Sequence, residues 1–366
     1  MAGPGSGRQL FLDAFRGFAL IAMVLNHTAR WWLERSMGWT RYHLVYVTMT
    51  VAAPIFLFLV GFCLPLSYRA SRARGLGYGR VVWRALRRGA GLVVVGWALT
   101  FLVFPAEPVF SGGVLQTIGL SIALLTPLVP LGRHPAWRGL GLAAGLAVYA
   151  TFALAHPALT AWLPRHPVVA EVWFTDFPLW PWFAIVLLGG ALGWAWADLG
   201  ERGGDRTRYV TRMAAAGVLC LAAFLPLELA RGDAWRLTSR HDFILNQHWS
   251  PGGVTVLWVF GVIFTALPAT YYLVELRGLH ARWLVVLGQN ALALYVVHQV
   301  FVLTIVRQHL GVWFESWWPY VVANAALLAL LVGLGRLWPE FKRRATSALR
   351  PAALLRAMRT PSGGGP

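Results

Sequence analysis

Long apolar segments separated by short polar ones run along most of the chain. About 20 apolar residues of α-helix cross the hydrocarbon core of a bilayer. We predict ten such spans, at residues 10–29, 44–66, 83–104, 113–131, 137–156, 177–198, 209–229, 252–274, 283–306 and 317–338. The segments are apolar on every side, which is typical of helices in a membrane bundle, and lipid excludes the unpaired edges of open sheets. The pattern therefore predicts an all-α, polytopic integral membrane helical bundle of about ten transmembrane helices.

The spans divide the chain into three predicted parts. We expect a flexible N-terminus at residues 1–9, a transmembrane domain at 10–340, and a basic, disordered cytoplasmic tail at 341–366. The first apolar segment opens a series of similar segments, so we interpret it as a transmembrane helix and not as a signal peptide. Two glycine pairs, Gly141/Gly145 and Gly189/Gly193, have the small-xxx-small spacing that favours close contact between helices in membranes.

Composition supports a membrane protein. Hydrophobic residues make up 58% of the 366 residues, against about 45–50% in soluble domains. A soluble globule would have to expose much of that apolar surface, so the composition argues strongly against a soluble single- or two-domain enzyme.

The formal net charge of +18 is an orientation signal. If the N-terminus is cytoplasmic, the predicted inner segments hold 23 of the 32 basic residues and the outer loops hold 8. Basic residues concentrate on the cytoplasmic side of membrane proteins, so we expect both termini in the cytoplasm, in a multi-pass protein of the plasma (inner) membrane. The same arginines would attract anionic membrane lipids, and we expect no nucleic-acid partner.

The first predicted helix carries ionisable residues, which are costly in a membrane. Asp13 and Arg16 are three residues apart and can pair on a helix. Arg16 and His27 are separated by three helical turns, so they share a face and lie about 16 Å apart along the axis. That arrangement suits a substrate that is anionic near Arg16 and reacts near His27. The alternatives are a boundary ion pair for Arg16 and a satisfied interfacial histidine for His27.

Further polar residues fall in the predicted outer half of the membrane. Their shared depth beside His27 predicts an extracytoplasmic polar cavity, and they are Gln116, Asp176, His248 and His298. Asn290 begins the ninth span near the cytoplasm, where it suits either packing or a cytosolic ligand. The sequence holds no nucleotide-binding glycine motif and no zinc-binding motif, and we expect no metal.

These residues resemble a known superfamily. The segment 8–27, including the Arg16-x10-His27 spacing, resembles the opening of the transmembrane acyltransferases and the signature of acyltransferase-3 enzymes. Later segments are similar to the heparan-α-glucosaminide N-acetyltransferase catalytic domain, and they are Pro54–Phe62, Gly113–Gly119, Phe177–Trp182 and Leu287–His298.

The resemblance implies an acyltransferase that takes an acyl group, above all acetyl, from cytosolic acyl-CoA. It would deliver that group to a sugar amine or hydroxyl of a glycan on the far side of the membrane. It leaves open whether the protein forms a homo-oligomer. The donor-side candidates, chosen because arginine binds phosphate well or for their place near the cytoplasm, are Arg16, Arg84, Arg87, Arg88 and Asn290. The acceptor-side candidates are Gln116, Asp176 and His248.

His27 is the central catalytic candidate. Its imidazole is either a general base for the acceptor or a nucleophile that carries the acyl group. Asn26, Asn290 or His298 would stabilise the thioester oxyanion. The rival hypothesis is a secondary transporter or flippase, in which His27 and His298 relay protons or bind the substrate.

Overall fold

The computed structural model describes residues 9–33, 49–105, 107–174, 177–230, 252–279 and 281–358. This part of the chain is all-α. Its helices are α1 Leu10–Trp32, α2 Ala52–Ala73, α3 Tyr78–Val103, α4 Val114–Leu125, α5 Pro135–Trp162, α6 Pro167–Trp173, α7 Leu179–Arg202, α8 Arg206–Ala230, α9 Gly253–Tyr271, α10 Arg282–Gln289, α11 Ala291–Gln299 and α12 Trp317–Met358. Two 3-10 segments follow α4 and α5, at Thr126–Arg133 and Leu163–Arg165, and two π-helical segments follow α9 and α11, at Tyr272–Leu276 and Val300–His309.

Ten helical segments of the described chain are long and apolar enough to cross a membrane, which confirms the predicted bundle. The second begins at Ala52, later than the expected residue 44, and residues 34–48 lie outside the described ranges. The last helix ends at Met358, beyond residue 340. The division of the chain into three parts stays a prediction.

The predicted ninth span, 283–306, is wrong as a single helix. It divides into α10 and α11 at Asn290, whose backbone has φ −112° and ψ 17°. The Asn290 side-chain amide donates to the carbonyls of Val286, at 2.9 Å, and of Gly335 in α12, at 3.0 Å. The break is therefore stabilised by a contact with a helix that lies 45 residues later in the chain.

Helix α1 is the most buried of the ten spans. It packs against α2, α9, α10, α11 and α12. Its first half, with Phe11 and Phe15, belongs to a hydrophobic cluster shared with α2, α7 and α9. Its second half, with Leu20 and Val24, belongs to a cluster shared with α11 and α12. Asp13 and Thr28 of α1 are therefore buried among the neighbouring helices, whereas Arg30 near its end is exposed.

Glycines bring the central helices together. A Cβ on Gly288 of α10 would lie 1.8 Å from the Asp13 carbonyl oxygen of α1, and one on Gly17 would lie 2.1 Å from the Leu284 carbonyl oxygen. The predicted close approach is confirmed at Gly189 and Gly193 of α7, which lie directly against the backbone of α2. It is wrong at Gly141, where an added Cβ would meet no atom within 4 Å. At each of the close contacts, a side chain would push two helices apart.

The end of α1 is tied to the π-helical segment that follows α11. The indole of Trp32 donates to the Val302 carbonyl at 3.0 Å. The Phe314 amide donates to the Trp32 carbonyl at 2.7 Å. These bonds hold the end of α1 beside the segment that follows α11.

Candidate functional site

His27 of α1 and His298 of α11 form a direct pair. His27 Nδ1 lies 2.9 Å from His298 Nε2. The two rings are stacked, with centroids 5.2 Å apart and planes 7° from parallel. His298 is fully buried, at 0% exposure. Residues 271 positions apart in sequence therefore meet as one unit.

The hydrogen bonds of the pair define one arrangement of protons for two neutral rings. His298 Nδ1 lies 3.1 Å from the Leu294 carbonyl oxygen, which can only accept, so this nitrogen carries the proton. His298 Nε2 then accepts from the Nδ1–H of His27. The remaining nitrogen, His27 Nε2, keeps its lone pair, and the Gln299 side-chain amide faces it at 3.5 Å. The assignment follows from the partners of each nitrogen.

A small cavity of about 130 Å³ adjoins the histidine pair, and we call it the His27 chamber. Its lining includes His27, Arg30, Glu107, Gln116, Tyr295 and Gln299. Gln116, predicted from the sequence, is held by a hydrogen bond from its amide to the Ser111 carbonyl at 3.1 Å. It fits because α3 has glycine at position 96, where a Cβ would lie 2.6 Å from Gln116 Oε1.

A larger cavity of about 680 Å³ lies next to the His27 chamber. We call it the central cavity, and its volume falls in the range of ligand pockets, about 300–1,000 Å³. Arg16, Cys63, Ser67 and Arg88 supply polar groups, and most of the remaining lining is apolar. The two cavities share three lining residues, Val114, Leu115 and Tyr295.

A third cavity of about 540 Å³ adjoins the central cavity near the start of α1. We call it the vestibule. It shares Arg16, Cys63 and Ser67 with the central cavity, and it is lined further by Gln9, Asp13, Arg69, Glu201 and Arg206. The three cavities therefore follow one another from Arg206 to His27.

Ion pairs hold most of the vestibule's charged groups. The predicted Asp13–Arg16 pair is confirmed, with Arg16 Nη1 3.0 Å from Asp13 Oδ1. Arg69 pairs with Glu201 at 3.0 Å and also with Asp198.

Arg206 differs from the other two arginines of the vestibule. Its guanidinium lies over the Trp196 ring, 4.9 Å from the centroid. Its Nε is buried and has no hydrogen-bond partner among the described residues.

The other site residues predicted from the sequence differ in where they lie relative to the three cavities. Arg84 and Arg87 are exposed on α3, outside the lining of the three cavities. Asn26 is half-buried beside His27 and also lies outside these linings. Asn290 uses both amide hydrogens on backbone carbonyls. Asp176 and His248 lie outside the described residues.

Sequence reasoning missed three lining residues, Gln299, Tyr295 and Arg206. Gln299 follows His298 within a hydrophobic span, and a polar residue there is a signal that could have found it. Tyr295 stands in a quoted motif, but its place between two cavities depends on the packing of α11. Arg206 stands in a basic segment, and nothing in the sequence separates it from the neighbouring arginines.

Comparison with known proteins gives one family. The family model described as "Heparan-alpha-glucosaminide N-acetyltransferase, catalytic" matches residues 8–224, which is more than half of the chain. No curated protein matches the chain. Among the described residues, no group of three or more His, Cys, Asp or Glu side chains is arranged to hold a metal ion.

Proposed function

The chain belongs to the heparan-alpha-glucosaminide N-acetyltransferase catalytic family, a family of membrane acetyltransferases. We propose that it transfers an acetyl group from a donor on one side of the membrane to an acceptor on the other side. The donor is cytosolic acetyl-CoA or another acyl-CoA, and the acceptor is an amine or hydroxyl of a sugar on the outer side of the plasma (inner) membrane. The observation that carries the proposal is the row of cavities leading from Arg206 and Arg16 to the lone pair of His27 Nε2.

The donor side of the proposal rests on the arginines that line the cavities. The guanidinium fork binds phosphate oxygens in pairs. Arg16, Arg88 and Arg206 line the vestibule or the central cavity, where they would hold the phosphates of CoA. The apolar wall of the central cavity would surround the pantetheine arm, and the thioester would reach towards the His27 chamber.

The acceptor side rests on the histidine pair. His27 Nε2 removes a proton from the acceptor as its nitrogen or oxygen attacks the thioester carbonyl. The new C–N or C–O bond forms, the C–S bond breaks, and the same proton passes to the departing sulfur of CoA. His298 positions the imidazole by accepting from Nδ1, so that Nε2 is the nitrogen that reacts.

The second mechanism keeps His27 as an acyl carrier. Nε2 would attack the thioester, CoA would leave as the thiol, and the acceptor would then take the acetyl group from the imidazole. Cavities that adjoin one another support direct transfer, because donor and acceptor can then meet in one space. Direct transfer needs both substrates bound together, whereas a carrier gives ping-pong kinetics and exchange of label between acetyl-CoA and CoA.

The proposal is tested with the purified full chain in lipid vesicles, labelled acetyl-CoA and glucosamine. We expect transfer by the wild type and a fall of about 10²- to 10⁴-fold in His27→Ala. His309→Ala, which changes an exposed histidine on the segment after α11, is the control. Undiminished transfer by His27→Ala would overturn the catalytic role. Uptake of labelled sugar into vesicles without any turnover of acyl-CoA would favour the transporter.

A further inference from the structure

We propose that Tyr295 forms the wall that restricts the acyl group to a short chain, so that this residue sets the acyl specificity of the site. The proposal rests on the function proposed above, in which the thioester reaches His27 from the central cavity.

Tyr295 occupies the boundary between the two cavities. It lines both the central cavity and the His27 chamber, together with Val114 and Leu115 of α4. An acyl group that passes from the side of Arg16 to His27 must therefore pass these three residues. We call them the neck.

The Tyr295 side chain is held in place from several directions. It packs against all three hydrophobic clusters of the described chain. Its ring meets the His298 ring edge to face, with centroids 5.5 Å apart and planes at 66°. A ring held by this much packing is a fixed wall, because closely packed side chains do not move aside without cost.

The volumes on the two sides of the neck differ fivefold. The central cavity has about 680 Å³ and can surround a long apolar chain, whereas the His27 chamber has about 130 Å³. The acyl carbon must lie in the chamber to react, together with the nucleophile of the acceptor. Each added methylene would therefore press against the neck, and one methylene in a closely fitting site changes rates by about 10-fold or more.

Three variants separate this role from a general packing role. Tyr295→Ala removes the ring, and we expect the rate ratio of butyryl-CoA to acetyl-CoA to rise by at least about 10-fold. Tyr295→Phe keeps the ring, and we expect the wild-type ratio. Val296→Ala truncates the next residue, which packs on one of the same clusters but lines neither cavity, and the ratio should stay at the wild-type value.

The experiment uses the purified full chain in lipid vesicles, with acetyl-, propionyl-, butyryl- and hexanoyl-CoA as donors and glucosamine as acceptor. Calorimetric binding of S-ethyl- and S-butyl-CoA thioethers gives a second readout that needs no turnover. A higher relative rate for long donors in Tyr295→Ala, with tighter relative binding of the S-butyl thioether, supports the proposal.

The contrary results are distinct. If the wild type transfers acetyl and Tyr295→Ala keeps the wild-type rate ratio of butyryl-CoA to acetyl-CoA, the proposed role of the neck is overturned and the proposed function stays intact. If Tyr295→Ala and Val296→Ala raise the butyryl-CoA to acetyl-CoA rate ratio equally, the cause is loosened packing, and the proposed role of Tyr295 is also overturned. If the wild type neither transfers acetyl nor binds a thioether, the proposed function fails, and the neck fails with it.

Discussion

The hydroxyl oxygen of Thr28 lies 2.7 Å from Oδ1 of Asn324, in a buried contact that joins α1 to α12 across 296 positions of sequence. The Tyr320 hydroxyl lies 3.1 Å from the same Thr28 oxygen, and the Asn324 amide donates to the Tyr320 carbonyl at 2.9 Å. Because Thr28 follows His27 directly, this network anchors the part of α1 that presents the imidazole.

Thr28→Val should destabilise the protein by about 0.6–2 kcal/mol. The change keeps the shape of the side chain but leaves Asn324 Oδ1 without its donor in a buried site. A thermal unfolding midpoint in detergent measures the effect. Thr151→Val is the matched control, because Thr151 is exposed and its hydroxyl donates to the Ala147 carbonyl of its own helix. An unfolding midpoint that is the same in both variants would contradict the anchoring role.

Replacement of His298 should lower kcat and leave the KM for acetyl-CoA unchanged. Without the acceptor nitrogen of His298, His27 loses the contact that directs Nε2 into the chamber. By analogy with catalytic histidines whose orienting partner is lost, we expect a fall of about 10²- to 10⁴-fold in His298→Ala. His298→Gln, which restores an acceptor oxygen, should recover part of the rate. A KM change without a kcat change in His298→Ala would contradict the prediction.

Gln299→Met should raise the KM for the sugar acceptor by about 10-fold or more. The KM for acetyl-CoA should stay unchanged. Gln299 is 4% exposed, and its Oε1 is buried without a hydrogen-bond partner among the described residues. An acceptor amine or hydroxyl in the His27 chamber would satisfy this oxygen. Steady-state kinetics with both substrates varied makes the measurement. The control is Gln308→Met, whose amide donates to the Val103 carbonyl at 3.3 Å, and an equal effect there would contradict the prediction.

Arginines that line the cavities should differ from Arg80, an exposed arginine of α3 that lines none of them. Arg206→Gln and Arg88→Gln should each raise the KM for acetyl-CoA by about 10-fold, as expected when a charged hydrogen bond is lost. Acetyl-pantetheine lacks the nucleotide phosphates, so its KM should change much less. Arg80→Gln removes an exposed cation one turn before Arg84, and it controls for net charge. A similar KM change in Arg80→Gln would assign the effect to general electrostatics.

Gly288→Ala should destabilise the bundle by about 1–3 kcal/mol or prevent its assembly. The added Cβ would lie 1.8 Å from the Asp13 carbonyl oxygen, so α10 must move away from α1. Gly141→Ala is the matched change, because no atom lies within 4 Å of its added Cβ. It should be neutral or slightly stabilising, as alanine is in a helix. Equal thermal midpoints for the two variants would contradict the close contact.

The spans followed directly from the sequence, because the requirement behind them is local. A segment in lipid must satisfy its own backbone groups, so most apolar stretches of sufficient length form helices, and the ninth, which is broken at Asn290, is the exception. The same locality explains the Asp13–Arg16 pair and the shared face of Arg16 and His27, which depend only on the helical repeat. The basic residues predict an orientation for the same reason, and that orientation stays a prediction.

The tertiary structure decided which polar groups meet. The break at Asn290 depends on the Gly335 carbonyl, and the His27–His298 pair depends on how α1 and α11 pack. The sequence places both histidines at similar depth, but many helix arrangements share that depth. Gly17 and Gly288 let α1 and α10 approach closely, and α10 leads directly into α11, which carries His298. Close packing depends on how the surfaces of two helices fit together, and the pattern of hydrophobic residues along the chain does not determine that fit.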